Sequence, residues 1–387
     1  MIGLVLASAA LAVWLYLLAA RGGFWLAAER EQRGLPPAPG TWPEVVAVVP
    51  ARDDAELIGG TVRSLLAQAY PGSFAVVVVD DQSRDDTAAV ARAAAEEAGA
   101  ADRLTVLAGR TPPAGWSGKV WAMQQGVEHV ERGERPPRYL LFTDADIVYQ
   151  PAVLRDLVAR AEAGGLVLTS LMVKLSCASL AERLFIPAFV FFFQMLYPFA
   201  WVNRRGRRTA AAAGGCMLAR FDALAAAGGI AAIRSALIDD CALGRRMKAV
   251  GPIWLGLTDR VRSLRAYPRL DDVRRMVARS AYDQLGYSPL ALAGTTAGLA
   301  LTYLAPPLLA LAASGAARIV AATAFALMVA AFQPTLRFYR LSPLWGLALP
   351  AVALAYMAFT LDSAYQHGRG RGGLWKGRVH ANVSELR

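Results

Sequence analysis

Cysteine and histidine are the scarce chemistry-bearing residues of this 387-residue chain, with three of each. Cys177, Cys216 and Cys241 show neither metal-ligand spacing nor a disulfide framework, which fits a reducing compartment and a packing role. His129, His367 and His380 are scattered, which argues against a histidine-based metal centre or nucleophile relay. Charge is thin too. Only 18% of residues are charged, and 30 acids face 41 bases, for a formal net charge of +11. A basic balance suits nucleic acid, anionic lipid headgroups or anionic small substrates. No nucleic-acid-binding signature is present, so nucleic acid is not an expected partner. The chain has no internal repeat.

What abounds is apolar sequence. Hydrophobic residues make up 56% and the mean hydropathy is +0.35, above the roughly 45–50% apolar content of soluble domains. The length allows one α/β domain plus membrane segments. Residues 2–20 are nearly unbroken apolar sequence, long enough to span a bilayer, so 1–22 reads as a transmembrane helix. Arg21, Arg30 and Arg33 follow it and place the next domain on the cytoplasmic side. A cleaved signal peptide competes, weakened by the missing charged n-region and cleavage site. Residues 23–43 read as a linker, rich in Pro and Gly from Gly34 onward. Residues 289–364 read as three further spans (289–313, 317–334 and 343–362), followed by a basic tail, 365–387. Three spans put that tail outside, against the positive-inside rule, unless one segment is re-entrant.

The aromatic stretch 179–202 contains Pro187 and Pro198 and precedes Arg204, Arg205, Arg207 and Arg208. It reads as an interfacial helix with the arginines on lipid phosphates, joined by a basic amphipathic helix at about 271–285. A crossing helix and a buried core helix are the other readings of 179–202.

Between these segments the pattern is β-α-β. Strands are expected at Val45–Val49 (stopped by Pro50), Phe74–Val79, Leu104–Leu107, 139–143, 164–172 and 253–257. Helices are expected from Glu56 to Ala69, after Asp85-Asp86-Thr87, and over 117–131. The class is therefore α/β, with a mostly parallel sheet covered by helices on both faces. Ligands bind such sheets beyond the C-terminal strand ends, where Asp53/Asp54, Asp80/Asp81 and Asp144/Asp146 fall. Residues two apart on an extended strand face one side, so Asp144 and Asp146 are expected to aim at one spot. Two such carboxylates repel unless a cation sits between them, and hard oxygen ligands beside a phosphorylated substrate suit Mg²⁺ or Mn²⁺. A solvated acidic turn is the plainer reading of a lone Asp-x-Asp. Asp239-Asp240 opens a helix and, alone, reads as a cap. Gly214-Gly215 permits a tight turn or close backbone approach to a ligand.

Taken in order, Val49–Asp54, Val79–Thr87, Asp144-Ala145-Asp146, Gly214-Gly215-Cys216 and Asp239–Leu243 resemble the motifs of family 2 glycosyltransferases. The resemblance covers about 44–288. It implies a GT-A, Rossmann-like catalytic domain on a membrane-associated, inverting enzyme that uses a nucleotide-diphosphate sugar. Gly115–Ala122 and Gln284–Pro289 are similar to the hopene-associated glycosyltransferase subgroup. The resemblance implies that Pro50, Ala51, Arg52, Asp54 and Asp80 contact the uracil and ribose of a UDP-sugar, with Asp81 and Ser83 close by. Asp146 would ligate Mg²⁺ or Mn²⁺ under the diphosphate, with Asp144 on the ribose or metal and Ala145 between them. Asp240 matches the base position, beside Asp239 where Glu is commoner. Apart from the resemblance, Lys119 reads as a cationic helper for the leaving diphosphate, with a plain surface lysine as the competing reading. Tyr287 and Ser288 replace Arg and Trp of the family's Gln-x-x-Arg-Trp motif. That departure implies transfer of one sugar to a membrane lipid, a hopanoid or other terpenoid or polyprenyl alcohol. The expected location is a bacterial-type cytoplasmic membrane, multi-pass, with the catalytic domain facing the cytoplasm. A nucleotidyltransferase and a non-catalytic scaffold binding nucleotide sugar or lipid are the competing functions.

Overall fold

The computed structural model describes residues 1–370, so residues 371–387 of the basic tail lie outside the described part. The chain forms two compact units. One comprises Glu29–Ser176 and Trp201–Ala266; the other comprises Met1–Ala28, Cys177–Ala200 and the described chain from Tyr267 onward.

The chain opens with α1 (Ile2–Ala19). The first unit then begins in β-α-β steps: β1 (Val45–Ala51), α2 (Ala55–Leu66), β2 (Phe74–Asp80), α3 (Thr87–Glu97) and β3 (Leu104–Ala108). Next come α4 (Gly118–Glu131), β4 (Tyr139–Phe142), β5 (Ile147–Tyr149), α5 (Val153–Gly164) and β6 (Leu168–Lys174). The chain passes through α6 (Leu180–Leu196) and α7 (Phe199–Val202), and returns with β7 (Met217–Arg220), α8 (Phe221–Ala226), α9 (Asp239–Val250) and β8 (Ile253–Ser263). The eight strands form one sheet in the order β3-β2-β1-β4-β7-β6-β8-β5. The expected α/β class is found, in a mixed sheet: β7 runs antiparallel to both β4 and β6, and β5 runs antiparallel to β8. Every residue of β1 is buried, which is why it reads as a continuous apolar run and not as an alternation.

Three strand expectations need correction. Pro50 does not stop β1. The carbonyl of Val48 accepts from Thr143 N–H on the β4 side, and β4 has ended before Pro50 is reached, so the missing proline N–H faces no acceptor. The strand expected over 164–172 begins at Leu168, because α5 occupies the chain up to Gly164. β8 continues six residues past its apolar start. Thr258, Val261 and Ser263 are buried while Arg262 is exposed, so the second half alternates where it pairs with β5. The short strands β5 and β7 and the helix α5 had no sequence expectation.

Two glycines set helix positions. A Cβ on Gly126 would stand 2.4 Å from Val48 Cγ1, so α4 lies directly on β1. A Cβ on Gly244 would stand 2.8 Å from the backbone of Ala211, so α9 lies against that segment. These helices carry Lys119 and Asp240.

In the second unit, α10 (Leu270–Ala278) and α11 (Ala281–Gln284) replace the single helix expected over 271–285. α12 (Pro289–Leu299) runs through a π turn at Ala300–Leu304 into α13 (Ala305–Ala312), followed by α14 (Gly315–Phe338) and α15 (Leu349–Gly368). Trp14 Nε1 donates to the Thr302 carbonyl at 2.8 Å, satisfying a backbone group in the π turn. Trp14, Phe185, Phe191, Tyr303, Phe332 and Tyr356 anchor this unit's core. Among the described residues, five stretches are long and apolar enough to cross a membrane: Ile2–Ala19, Leu180–Val202, Pro289–Ala312, Gly315–Phe338 and Pro343–Gly368.

Gly244→Ala is expected to destabilise the protein by about 1–3 kcal/mol, because the added methyl meets backbone that cannot turn aside. A melting temperature equal to that of the unsubstituted protein would show that α9 has room to shift.

Candidate active site

The parallel strands β1, β2 and β4 end at the same edge of the sheet. The first two carry interlocked loops. Asp53 and Gln82 adopt positive φ values of 47° and 56°, a conformation that costs a non-glycine residue energy and needs support. Asp53 N–H donates to Ser83 Oγ at 3.0 Å, Ser83 N–H donates to Asp80 Oδ1 at 3.0 Å, and Arg84 N–H donates to Asp53 Oδ1 at 2.8 Å. Asp80 and Ser83 therefore belong to one hydrogen-bonded turn. Arg52 and Asp81 are buried and paired at 3.7 Å, and the guanidinium also donates to the Gln82 carbonyl at 3.3 Å. Asp54 Oδ2 accepts from Arg52 N–H at 3.2 Å, and Asp54 N–H donates to Thr87 Oγ1 at 2.8 Å. Pro50 and Ala51 lie within β1, where the Ala51 carbonyl accepts from Asp81 N–H at 2.8 Å.

Asp144 and Asp146 do not share the face of an extended strand. β4 ends at Phe142, and Asp144-Ala145-Asp146 forms the turn into β5, because β5 pairs with β8 and not with the β4 ladder. Ala145 turns its methyl into the core and its carbonyl accepts from Thr61 Oγ1 at 2.8 Å. Asp144 Oδ1 lies 2.8 Å from Lys119 Nζ, which also lies 3.1 Å from Asp239 Oδ2. Asp146 Oδ2 accepts from Ser263 Oγ at 2.7 Å and lies 3.3 Å from Arg265 Nε, while Arg265 Nη2 lies 2.9 Å from Asp54 Oδ1.

Asp239 and Asp240 are the first two residues of α9, after an Ile238 N-cap, so neither serves as the cap. Asp240 Oδ2 accepts from Gly214 N–H at 2.9 Å and Oδ1 accepts from Cys241 N–H at 2.7 Å. A Cβ on Gly214 would stand 3.3 Å from Lys119 Nζ and 3.4 Å from Asp240 Oδ2, so glycine lets both groups come this close to the backbone. Ser263 and Arg265 carried no sequence expectation. The only available signal was a basic residue two positions beyond a strand whose apolar half stops at Leu257.

A model of the family described as glycosyltransferase like family 2 matches residues 43–260. The chain belongs to this family. Among solved structures, the mannosyltransferase PcManGT from Pyrobaculum calidifontis, in complex with GDP-Man and Mn²⁺, aligns at a TM-score of 0.54 and 19% identity, covering 91% of this chain and 99% of its own. S. aureus TarS 1–349 in complex with UDP-GlcNAc aligns at a TM-score of 0.40 and 14% identity, covering 88% of this chain and 97% of its own. At such identities the first likeness speaks to fold alone. A comparison with curated proteins gives no match.

The cluster around Lys119 gives this family 2 glycosyltransferase its electrostatic character. Burial pushes the Asp240 carboxyl up to about 6; neighbouring Asp239 adds to the shift, and Lys119 and the two backbone N–H groups oppose it. Burial also raises Asp144, against the pull of Lys119. Burial alone would lower the Lys119 ammonium, but Asp144, Asp239 and Asp240 outweigh it and hold the group well above its ordinary value. Cys216, beside Gly215, has its thiol pushed up to about 12 by burial and is chemically inert.

Among the described residues, no group of three or more His, Cys, Asp or Glu side chains forms a metal site. The donor set still fits a hard divalent ion. Five carboxylates of the enzyme (Asp54, Asp144, Asp146, Asp239 and Asp240) face the two cations Lys119 and Arg265, which leaves an excess of negative charge. An ion that takes one or two carboxylates and completes its shell with substrate phosphates and water matches that arrangement.

Lys119→Met leaves Asp144, Asp239 and Asp240 without their shared cation; with Asp144 partly open to solvent, the expected cost near pH 8 is about 1–3 kcal/mol. The sign with pH follows from linkage. A carboxyl whose folded value lies above its unfolded one, as for Asp240 at about 6 against 3.8, contributes stability below the unfolded value and loses it as pH rises through the folded one. The deficit of the variant is therefore expected to shrink at pH 5. Thermal unfolding at both pH values checks this, and an equal deficit at the two would refute it.

Proposed function

We propose that this glycosyltransferase is a membrane-held, inverting enzyme. It moves a single sugar from a nucleoside-diphosphate sugar to a lipid alcohol, with Asp240 as the general base. The observation that carries the reading is the Asp240 carboxylate at the N-terminus of α9, held by Gly214 N–H and Cys241 N–H beside the Lys119 cluster that includes Asp144 of the Asp-x-Asp turn.

The β1 and β2 loops, with Arg52, Asp54, Asp80 and Ser83, form the cradle for the base and ribose, for which uridine is the expected nucleoside. Asp144 and Asp146 would hold Mg²⁺ or Mn²⁺ together with the donor's phosphates, and the bound ion would offset charge on the departing nucleoside diphosphate. Lys119 adds a fixed positive charge at the same place. Both Asp240 oxygens accept backbone N–H groups, which fixes the carboxylate while leaving lone pairs for the acceptor's proton. A base near 6 is largely ionised at neutral pH yet still accepts a proton readily. Attack by the acceptor hydroxyl opposite the leaving group inverts the anomeric carbon.

The lipid acceptor is supported by the apolar character of the second unit, where Leu290, Leu308, Leu311, Ile319 and Leu344 are exposed on helices long enough to span a bilayer. The stretch Leu180–Val202 is read as lying in the interface. β6 precedes it, β7 follows it, and both belong to one sheet, so the chain re-emerges on the side it left. Arg204, Arg205, Arg207 and Arg208 follow it, are exposed, and suit lipid phosphates. The arginines after α1 favour a cytoplasmic catalytic unit in a bacterial-type inner membrane. Transfer of one sugar is supported at the motif that departs from the polysaccharide synthases: Tyr287 stacks on His367 with ring centroids 4.3 Å apart, and Gln284 pairs with the Tyr197 hydroxyl. A hopanoid or other terpenoid or polyprenyl alcohol is the acceptor class favoured by Gly115–Ala122 and Gln284–Pro289.

In the purified enzyme in lipid, given a panel of donors and terpenoid or polyprenyl alcohols, mass spectrometry is expected to find a monoglycosylated lipid and free nucleoside diphosphate. Asp240→Asn is expected to keep donor binding and lose at least about 100-fold in turnover, the scale of a general-base effect. Unchanged turnover would remove Asp240 from the reaction. Exhaustive chelation and Asp146→Ala are each expected to abolish most activity, and full activity after either would exclude a divalent ion from the mechanism.

A further inference from the structure

We infer that Arg265 is a positioning residue that occupies the Asp146 carboxylate until the donor arrives and then turns to the donor's diphosphate, so that ion and donor bind together. The inference rests on the donor assignment proposed above and goes beyond it.

The guanidinium is a fork between two buried acids from different loops, with Nε 3.3 Å from Asp146 and Nη2 2.9 Å from Asp54. The backbone beneath it is fixed. Leu264 N–H donates to the Asp146 carbonyl at 2.7 Å, and Arg265 N–H donates to Ser263 Oγ at 3.2 Å. The side chain itself is 35% exposed, whereas those of Asp54 and Asp146 are 5% and 11% exposed. It can therefore swing while its root stays in place.

A divalent ion entering alone at Asp146 meets a positive charge already seated there, and like charges at such separations are strongly unfavourable. A donor that enters with the ion brings phosphate oxygens, to which a guanidinium binds in a forked, charge-assisted manner. The arginine then has a new partner as it leaves the old one, and its two positions couple ion and donor affinity. The link to Asp54 carries the same coupling into the nucleoside cradle.

The test uses the full-length protein in detergent or nanodiscs and measures binding, not turnover. Mn²⁺ alone is titrated by electron paramagnetic resonance, and UDP and GDP are titrated calorimetrically with Mn²⁺ present. Arg265→Ala is expected to bind Mn²⁺ alone several-fold to about tenfold tighter, because a competing charge is gone. The same variant is expected to bind the nucleoside diphosphate about tenfold or more weaker, because a charged hydrogen-bond partner is lost. Arg265→Lys keeps the charge and is expected to hold Mn²⁺ affinity near the unsubstituted value with a smaller nucleotide loss. Opposite signs for ion and nucleotide support the inference, since a folding defect would weaken both. A parallel fall in the two affinities, or no change in either, overturns it alone. Failure of the unsubstituted protein to bind either nucleotide overturns it together with the donor assignment.

Discussion

Repulsion among clustered carboxylates, held in check by two cations, is the constraint on which the catalytic unit depends. Asp144, Asp239 and Asp240 gather around Lys119, and Asp54 and Asp146 gather around Arg265. These residues come from segments far apart in the chain, so none of the clusters exists before the sheet has formed. Each ion pair costs desolvation on burial and returns it only if the geometry is tight. The close approaches at Gly126, Gly214 and Gly244 supply that geometry by bringing α4, the segment before β7, and α9 to within contact of one another's backbone or of β1. A side chain at any of these positions would enlarge the distances that keep the acids tolerable.

The same constraint explains what could be read from the sequence. β1, β2, β3 and β4 are short apolar runs separated by helical spacing, and their order alone identifies the α/β class. Their C-terminal acids are legible because the parallel β1, β2 and β4 bring those ends to one edge. Lys119 is legible only as a basic residue inside a motif, since its three carboxylate neighbours lie in other parts of the chain. Arg265 is not legible at all. It follows a strand half that is polar, pairs with a three-residue strand, and gains meaning only through contacts with Asp54 and Asp146. β5 and β7 were missed because three or four residues are too few for any periodicity, and both run against the direction that β-α-β steps predict. For the Asp-x-Asp pair, alternation on a strand is the simplest reading of two acids two apart. A turn there is dictated by β5 joining β8, which is a tertiary fact. Asp239-Asp240 reads as a cap for a similar reason, since the difference between N-cap and first turn is one residue.

Membership of both β6 and β7 in one sheet also limits what the aromatic stretch between them can do. Hydropathy alone makes Leu180–Val202 resemble the other spans. With β6 before it and β7 after it in one sheet, the stretch leaves the sheet and comes back to it. Within the second unit, the buried Glu182 carboxylate accepts from Ala178 N–H and Ser179 N–H at 2.8 Å each and from Tyr267 N–H at 2.7 Å. One side chain therefore ties the start of α6 to the backbone at Tyr267 within this unit. Freedom at Arg265 is confined to its side chain, because Ser263 and Asp146 hold the backbone on either side of Leu264. A side chain that moves on a root fixed this firmly can exchange one anionic partner for another without disturbing the carboxylates it leaves behind.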